Sequence, residues 1–363
     1  MTVNEIIKGR SLPDVLSDGK GGIIKDRDGF EKRKKVIRQL LSEKEYGVIP
    51  KKPDHMEVDV KPGDRGFCAG KAIRLFLTFS FEMDGERFSF PAEASIPKGK
   101  TNIPAFIHLS FRKDNPDIFQ PTEEIIDRGF AVFTLCYTHV TSDDDNFKNG
   151  IAPYLCKSRR KKDAPGKIAI WAWAAMRLVD YVITRDEIAK DNIAVIGHSL
   201  LGKTALLTGA YDERINYIIS NNSGCSGAAI SRGKRGERKA DICRRFPYLF
   251  CPAYLDADDD ESLLPFDQHF LLALSAPRYL LVGSADEDIW QDPESEFLCL
   301  CEMERVYALY GKRGLVHGET IPQAPMLLDE GDCHYHLRRG AHYLSREDWN
   351  YYINYIEGKI NAD

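Results

Sequence analysis

The chain has 363 residues, 43% of them hydrophobic, which is enough apolar material for one large α/β domain. Its 50 lysines and arginines stand against 55 acidic residues, so the formal net charge is only −5 and no overall positive field exists to hold nucleic acid. The opening Met1-Thr-Val-Asn-Glu-Ile-Ile-Lys lacks the apolar core of a secretion signal, and no stretch is long enough to span a bilayer. The nine cysteines lack paired spacing and read as reduced thiols, so a cytoplasmic protein with no membrane partner is expected.

In chain order, the periodicity over residues 29–45 predicts an amphipathic helix, followed by Glu45-Tyr-Gly47 and a proline-rich extended segment. Strand-like runs at Ala72-Ile-Arg-Leu-Phe-Leu-Thr-Phe and Arg87-Phe-Ser-Phe-Pro-Ala-Glu-Ala-Ser-Ile-Pro flank Gly85, which predicts an antiparallel hairpin. Short apolar strands are expected at Ala105-Phe-Ile-His-Leu, Ala131-Val-Phe-Thr-Leu, Ile193-Ala-Val-Ile, Tyr217-Ile-Ile-Ser and Tyr279-Leu-Leu-Val. Helices separate several of them, the clearest running from Gly166 to Thr184, and another closes the chain from Arg346 to Ile356. Continuous apolar strands alternating with helices imply an α/β fold with a mostly parallel sheet covered on both faces. No composition break divides the chain, so residues 1–363 are expected to form one domain, with 1–60 a lead-in to the core at 60–363.

Three charged runs stand out: the basic Lys157-Ser-Arg-Arg-Lys-Lys, and the acidic Asp143-Asp-Asp145 and Asp256-Ala-Asp-Asp-Asp-Glu261. All lie in predicted loops, where solvated surface is the ordinary reading. None carries the glycine pattern of a phosphate or calcium site.

The segment Ile193-Ala-Val-Ile-Gly-His-Ser199-Leu-Leu-Gly202-Lys-Thr reads as a strand turning sharply into a helix at a serine. That is the context of a nucleophile elbow, although the second glycine, usual two places after the serine, comes one place later at Gly202. A serine hydroxyl needs a histidine to take its proton, and the histidine needs a carboxylate to set its tautomer. In α/β-hydrolases both follow the serine, acid first. Asp286, Asp288 and Asp292 cluster at the end of the predicted strand Tyr279-Leu-Leu-Val, and any of them is a candidate acid, although Asp292-Pro-Glu also looks like a helix N-terminus. His342 follows a strand and Gly340, before the closing helix, where a loop histidine can reach the serine. His334 and His336 share one strand face and with Cys333 suggest zinc, but no further spacing completes a ligand set, so no metal or organic cofactor is expected.

Taken together, Gly197-His-Ser-Leu-Leu-Gly-Lys203, Ser220-Asn-Asn-Ser-Gly-Cys-Ser-Gly227, Leu264-Pro-Phe-Asp-Gln-His269, Ala276-Pro-Arg278, Asp288-Ile-Trp-Gln-Asp-Pro293 and Arg339-Gly-Ala-His342 resemble the glucuronoyl esterase and acetylxylan-esterase-like group of serine carbohydrate esterases. The resemblance covers most of residues 100–355 and implies the α/β-hydrolase fold. It implies Ser199 as nucleophile, His342 as base, Lys203 as a contact to sugar hydroxyls and Trp290 as a wall of the sugar pocket. Three positions depart from the family pattern. Asn222 stands where fungal members carry the acid, so the acid is expected from the later loop, with Asp288 favoured over Asp286 and Asp292. Leu200 stands where glucuronoyl esterases carry an arginine, a loss of oxyanion support that typically costs about 3 kcal/mol. His198 and Tyr343 occupy the places of a fungal disulfide.

The expectation is hydrolysis of a carbohydrate ester through an acyl-enzyme, with the oxyanion held by the N–H of Leu200 and one near Ser110 or Phe111. An acetyl group is as natural an acyl component as a glucuronoyl one when Leu200 replaces arginine. The alternative, drawn from Asn222 and Leu200, is a carbohydrate-binding relative that kept the fold with little or no turnover.

Overall fold

The protein's structure, a computed structural model, describes residues 1–83, 85–159 and 161–362. Its strands are β1 (Met56–Pro62), β2 (Ala72–Met83), β3 (Glu86–Pro97), β4 (Ile103–Ser110), β5 (Ala131–Cys136), β6 (Ile188–His198), β7 (Tyr217–Asn221), β8 (Tyr279–Ala285), β9 (Met326–Leu328) and β10 (Cys333–Arg338). Among the described residues they form one sheet in the order β1-β2-β3-β5-β4-β6-β7-β8-β10-β9. The run from β5 to β10 is parallel, while β1, β2, β3 and β9 are antiparallel to their neighbours. The expected hairpin pairs Ala72 with Pro97 and Met83 with Glu86.

Period-two alternation sorts the apolar strand residues onto two faces. Phe106, Val132, Ala194, Ile196, Ile219 and Leu281 point to a layer containing Ile125, Trp349, Tyr352 and Ile356, so the helices Thr122–Asp127 and Arg346–Ile360 cover that face. Ile107, Phe133, Val195, Ile218, Leu280 and Val282 point the other way, onto the helices Lys167–Val182 and Leu200–Tyr211. The helix Lys167–Val182 is buried all round, because further chain packs over it. A helix this apolar on every side needs such cover. Val3, Phe30, Ile37, Leu41 and Tyr46 belong to the same core, so the N-terminal lead-in is packed onto the sheet layer rather than trailing from it.

The solvated reading of the charged loops needs correction at particular residues. Lys162 and Asp256 pair with each other and stay exposed, as that reading expects. Arg159 donates to the carbonyls of Pro165 (3.1 Å) and Phe250 (2.9 Å), Glu261 is buried against Arg238, and Asp143 is bound by two tyrosines. Charged side chains turn inward here because irregular backbone and phenols offer them partners, which periodicity does not reveal. Arg160 lies outside the described residues. All nine cysteines are free thiols. No helix among the described residues is long and apolar enough to cross a membrane.

A buried ion pair locks the turn after β10. The carboxylate of Asp348 accepts from Arg338 Nε at 2.9 Å, from His336 Nε2 at 2.8 Å and from the N–H and hydroxyl of Ser345 at 2.7 and 2.8 Å. His336 is therefore occupied by Asp348 on one side and by His334, 3.0 Å away, on the other. Burial raises the Asp348 carboxyl, but the bond from His336, its charge, and that of Arg338 outweigh this and bring it to about 2. The contribution is thus complete above the ordinary carboxylate range and is lost as pH falls toward about 2. Replacing Asp348 with alanine leaves Arg338 buried and unpaired, and should cost about 3–5 kcal/mol in urea unfolding at neutral pH. The deficit should shrink as the acid limb is reached, and equal stability of the two proteins at neutral pH would contradict this.

Candidate active site

β6 ends at His198, and the helix Leu200–Tyr211 begins two residues later, which forces Ser199 into a sharp corner at φ 54°, ψ −124°. Positive φ at a serine is costly and is tolerated where the surroundings hold it. The glycines make the corner possible. A Cβ on Gly197 would lie 2.0 Å from the Leu201 carbonyl oxygen, and one on Gly202 would lie 3.0 Å from both Ser220 Oγ and Ser223 Cβ. The displaced second glycine is explained by that second contact: Leu201 fills the core, while the close approach to the loop after β7 falls at position 202.

Ser199, Leu200, Lys203, Asp288, Trp290 and His342 line one cavity of about 410 Å³, together with Phe111. The three segments that carry them meet because β6, β8 and β10 run parallel, so their C-terminal ends share one rim of the sheet. His342 Nδ1 lies 2.6 Å from Asp288 Oδ2. An ionised carboxylate only accepts, so Nδ1 carries the proton and Nε2 is free to accept one. Burial raises the Asp288 carboxyl, yet the His342 hydrogen bond and charge and the Asn222 amide outweigh it, and the net shift is downward. Ser199 Oγ has no hydrogen-bond partner among the described residues, and neither does the N–H of Leu200 or of Phe111.

The other two candidate acids have different occupations. Asp286 accepts from the N–H of Gly340 at 2.8 Å and so ties the acid loop to the histidine loop. Asp292 sits in the left-handed region and caps the helix Pro293–Cys301 through Ser295, as the Asp-Pro-Glu pattern indicates. Asn222 donates from Nδ2 to the same Asp288 oxygen at 2.8 Å. The residue at the fungal acid position thus supports the later carboxylate rather than replacing it. Ser110, the other candidate near the oxyanion position, uses its hydroxyl on the backbone of Arg112 at 2.9 Å.

Lys203 is buried, its ammonium bound to the Ser223 carbonyl, so it is a fixed donor rather than a solvated surface lysine. Trp290 is 45% exposed, with its indole N–H on Glu237 at 3.2 Å. His198 is held by Asn221 at 2.7 Å, and its ring centroid lies 4.4 Å from that of His342. Burial and the neighbouring His342 push it down to about 3, so it stays neutral and adds no charge beside the base. Phe119 packs between His198 and Tyr343, with centroids at 5.9 and 5.1 Å, so an aromatic stack joins the two positions that a disulfide links in fungal members.

Three contributors escaped the sequence reading. Glu237 lines the cavity and anchors Trp290. Asp143 lines it too, gripped by the hydroxyls of Tyr137 and Tyr248 at 2.8 and 3.0 Å, in a loop whose backbone accepts from buried Lys167. Arg338 donates to the carbonyls of Ala341 (3.1 Å) and Tyr343 (2.6 Å), on either side of His342. Asp143 showed in the sequence only as part of an acidic run, and nothing there set Arg338 apart from the adjacent Arg339.

Comparison with known proteins gives the family of the chain. A family model described as glucuronyl esterase of fungi matches residues 80–311. A carbohydrate esterase from an unknown prokaryotic organism is 32% identical, over 96% of this chain and 89% of its own length. A 4-O-methyl-glucuronoyl methylesterase from Neurospora crassa is 27% identical, covering 83% of this chain and 73% of its own. Among solved structures, a glucuronoyl esterase from Solibacter usitatus superposes with a TM-score of 0.88 at 30% identity, over 95% of this chain and 97% of that one. A promiscuous CE15 esterase from a marine bacterial metagenome gives 0.85 at 32% identity, over 95% of this chain and 96% of that one. The chain belongs to the glucuronoyl esterase family of α/β-hydrolase carbohydrate esterases.

Proposed function

We propose that this protein hydrolyses glucuronoyl esters of carbohydrates through an acyl-enzyme, with Ser199 as nucleophile, His342 as general base and Asp288 as the orienting acid. The observation that carries the reading is the 2.6 Å bond from His342 to Asp288 on the wall of the cavity that also holds Ser199. In the first step Ser199 Oγ attacks the ester carbonyl carbon while its proton passes to His342 Nε2. The bond to the alcohol oxygen then breaks, and that oxygen takes the proton from His342. Water enters, gives a proton to His342 and attacks the acyl carbon; the bond to Ser199 Oγ then breaks, that oxygen takes the proton from His342, and the acid leaves. The free N–H groups of Leu200 and Phe111 are the donors for the oxyanion. Lys203, Trp290 and Glu237 supply the hydrogen bonds and apolar face that a sugar ring requires.

A second reading, an acetyl group in place of the glucuronoyl one, is favoured by Leu200, whose apolar side chain lines the cavity beside the nucleophile. Relative rates on a methyl glucuronate ester and on acetylated xylo-oligosaccharides decide between them, with Ser199→Ala as the blank. Turnover that survives in the Ser199→Ala protein would overturn both. The cytoplasmic assignment is supported only by the nine free thiols.

Leu200→Arg adds a donor next to the nucleophile and should raise kcat on the glucuronate ester by about tenfold or more. An unchanged rate would remove Leu200 from the account of selectivity. Asp288→Asn should lower kcat by roughly 10³-fold, since an amide leaves His342 in the wrong tautomer. Asn222→Ala removes one of the donors on the Asp288 carboxylate and should cost about tenfold in kcat. A kcat equal to that of the native protein would show that Asn222 does not act through Asp288.

A further inference from the structure

The loop between β8 and the helix Pro293–Cys301 is a partition with a hollow on each side. Asp288, Trp290 and Gln291 line the cavity described above, while Asp286, Ile289 and Asp292 line a second hollow of about 430 Å³. Residues 321–324, Leu337 near the end of β10, Arg235 and Glu294 also line that second hollow. The two hollows are nearly equal in volume, and the loop that lines both carries two adjacent exposed apolar side chains, Ile289 (66% exposed) and Trp290 (45%).

We infer that the second hollow is a binding site for neutral pyranose residues of the same carbohydrate chain whose ester is cleaved next door, with Ile289 and Trp290 as the crest over which that chain passes. This rests on the carbohydrate-esterase reading of the first cavity. The chemistry of the lining fits a neutral sugar. Ile289, Ile321 and Pro322 offer flat aliphatic surface for the C–H face of a ring, while Asp286 and Gln323 are exposed and able to bond hydroxyls. An anionic sugar is disfavoured, because Arg235 already faces Glu294 at 3.9 Å, Glu294 also pairs with Arg10 at 3.3 Å, and Asp286 and Asp292 add negative charge. Continuity supplies the rest of the argument. The partition is seven residues long from Asp286 to Asp292, and the segment 234–237 packs on it and lines both hollows through Arg235 on one side and Glu237 on the other, so the two hollows share their walls.

The test compares the native protein with an Ile289→Ser, Gln323→Ala double variant, both side chains being exposed and outside the proposed catalytic set. KM for a glucuronoyl ester carried on a xylo-oligosaccharide should rise about five- to tenfold in the variant, the scale of losing a hydrogen bond and an apolar contact. KM for the methyl ester of the monosaccharide, and kcat for both, should not move. A second measurement uses unesterified linear xylo-oligosaccharide titrated calorimetrically into the Ser199→Ala protein, with binding expected and weakened by the double substitution. Equal KM changes for the short and long esters, or no binding of the unesterified oligosaccharide, would overturn the inference. If neither ester is hydrolysed, the proposed activity fails on its own, and the titration still decides whether the hollow takes sugar.

Discussion

The site depends on one buried contact, the Arg338–Asp348 pair beneath the histidine loop. Both side chains are almost fully buried, and Arg338 spends its remaining donors on the carbonyls of Ala341 and Tyr343. A guanidinium can do this because its planar fork presents several donors at fixed angles. The result is that a seven-residue excursion, 339–345, carrying a partly exposed imidazole has its backbone fixed on both sides of that imidazole. Asp286 adds a second tie through Gly340, at φ +105°, a conformation that suits glycine. A loop residue thereby acquires the placement that a strand or helix would ordinarily give.

From that anchor the chemistry builds outward in layers of decreasing burial. Asp288 is nearly enclosed and accepts both the imidazole N–H and the Asn222 amide on one oxygen. His342 is over a third exposed and faces the cavity, and Ser199 waits at a strained corner with its hydroxyl uncommitted. This gradient suits a hydrolase. In the proposed mechanism the orienting charge is kept from solvent where its interaction is strong, while the groups proposed to exchange protons with substrate and water remain reachable.

The cavity also shows how one function can be kept while its supporting parts change. The carboxylate comes from the loop after β8, and an asparagine at the other position has become its hydrogen-bond donor. An aromatic stack of His198, Phe119 and Tyr343 occupies the place of a covalent bridge. Each substitution keeps a distance or an orientation with weaker, more numerous contacts, and the nine thiols remain unpaired.

Much of this was readable before any coordinates. Alternating strand and helix patterns announced the parallel sheet, and the Gly-His-Ser step announced the sharp corner at Ser199, because backbone sterics at such a turn are local and leave a local mark. The order of acid and histidine after the serine narrowed the partners to a few residues for the same reason: each sits at the end of its own strand. Which aspartate faces His342, what Asn222 donates to, what grips Asp143 and why Glu237 turns inward were decided only when the strands came together. Those choices hinge on angles and distances between segments tens of residues apart, and on burial that neighbours impose. A chain read one residue after another holds no measure of either.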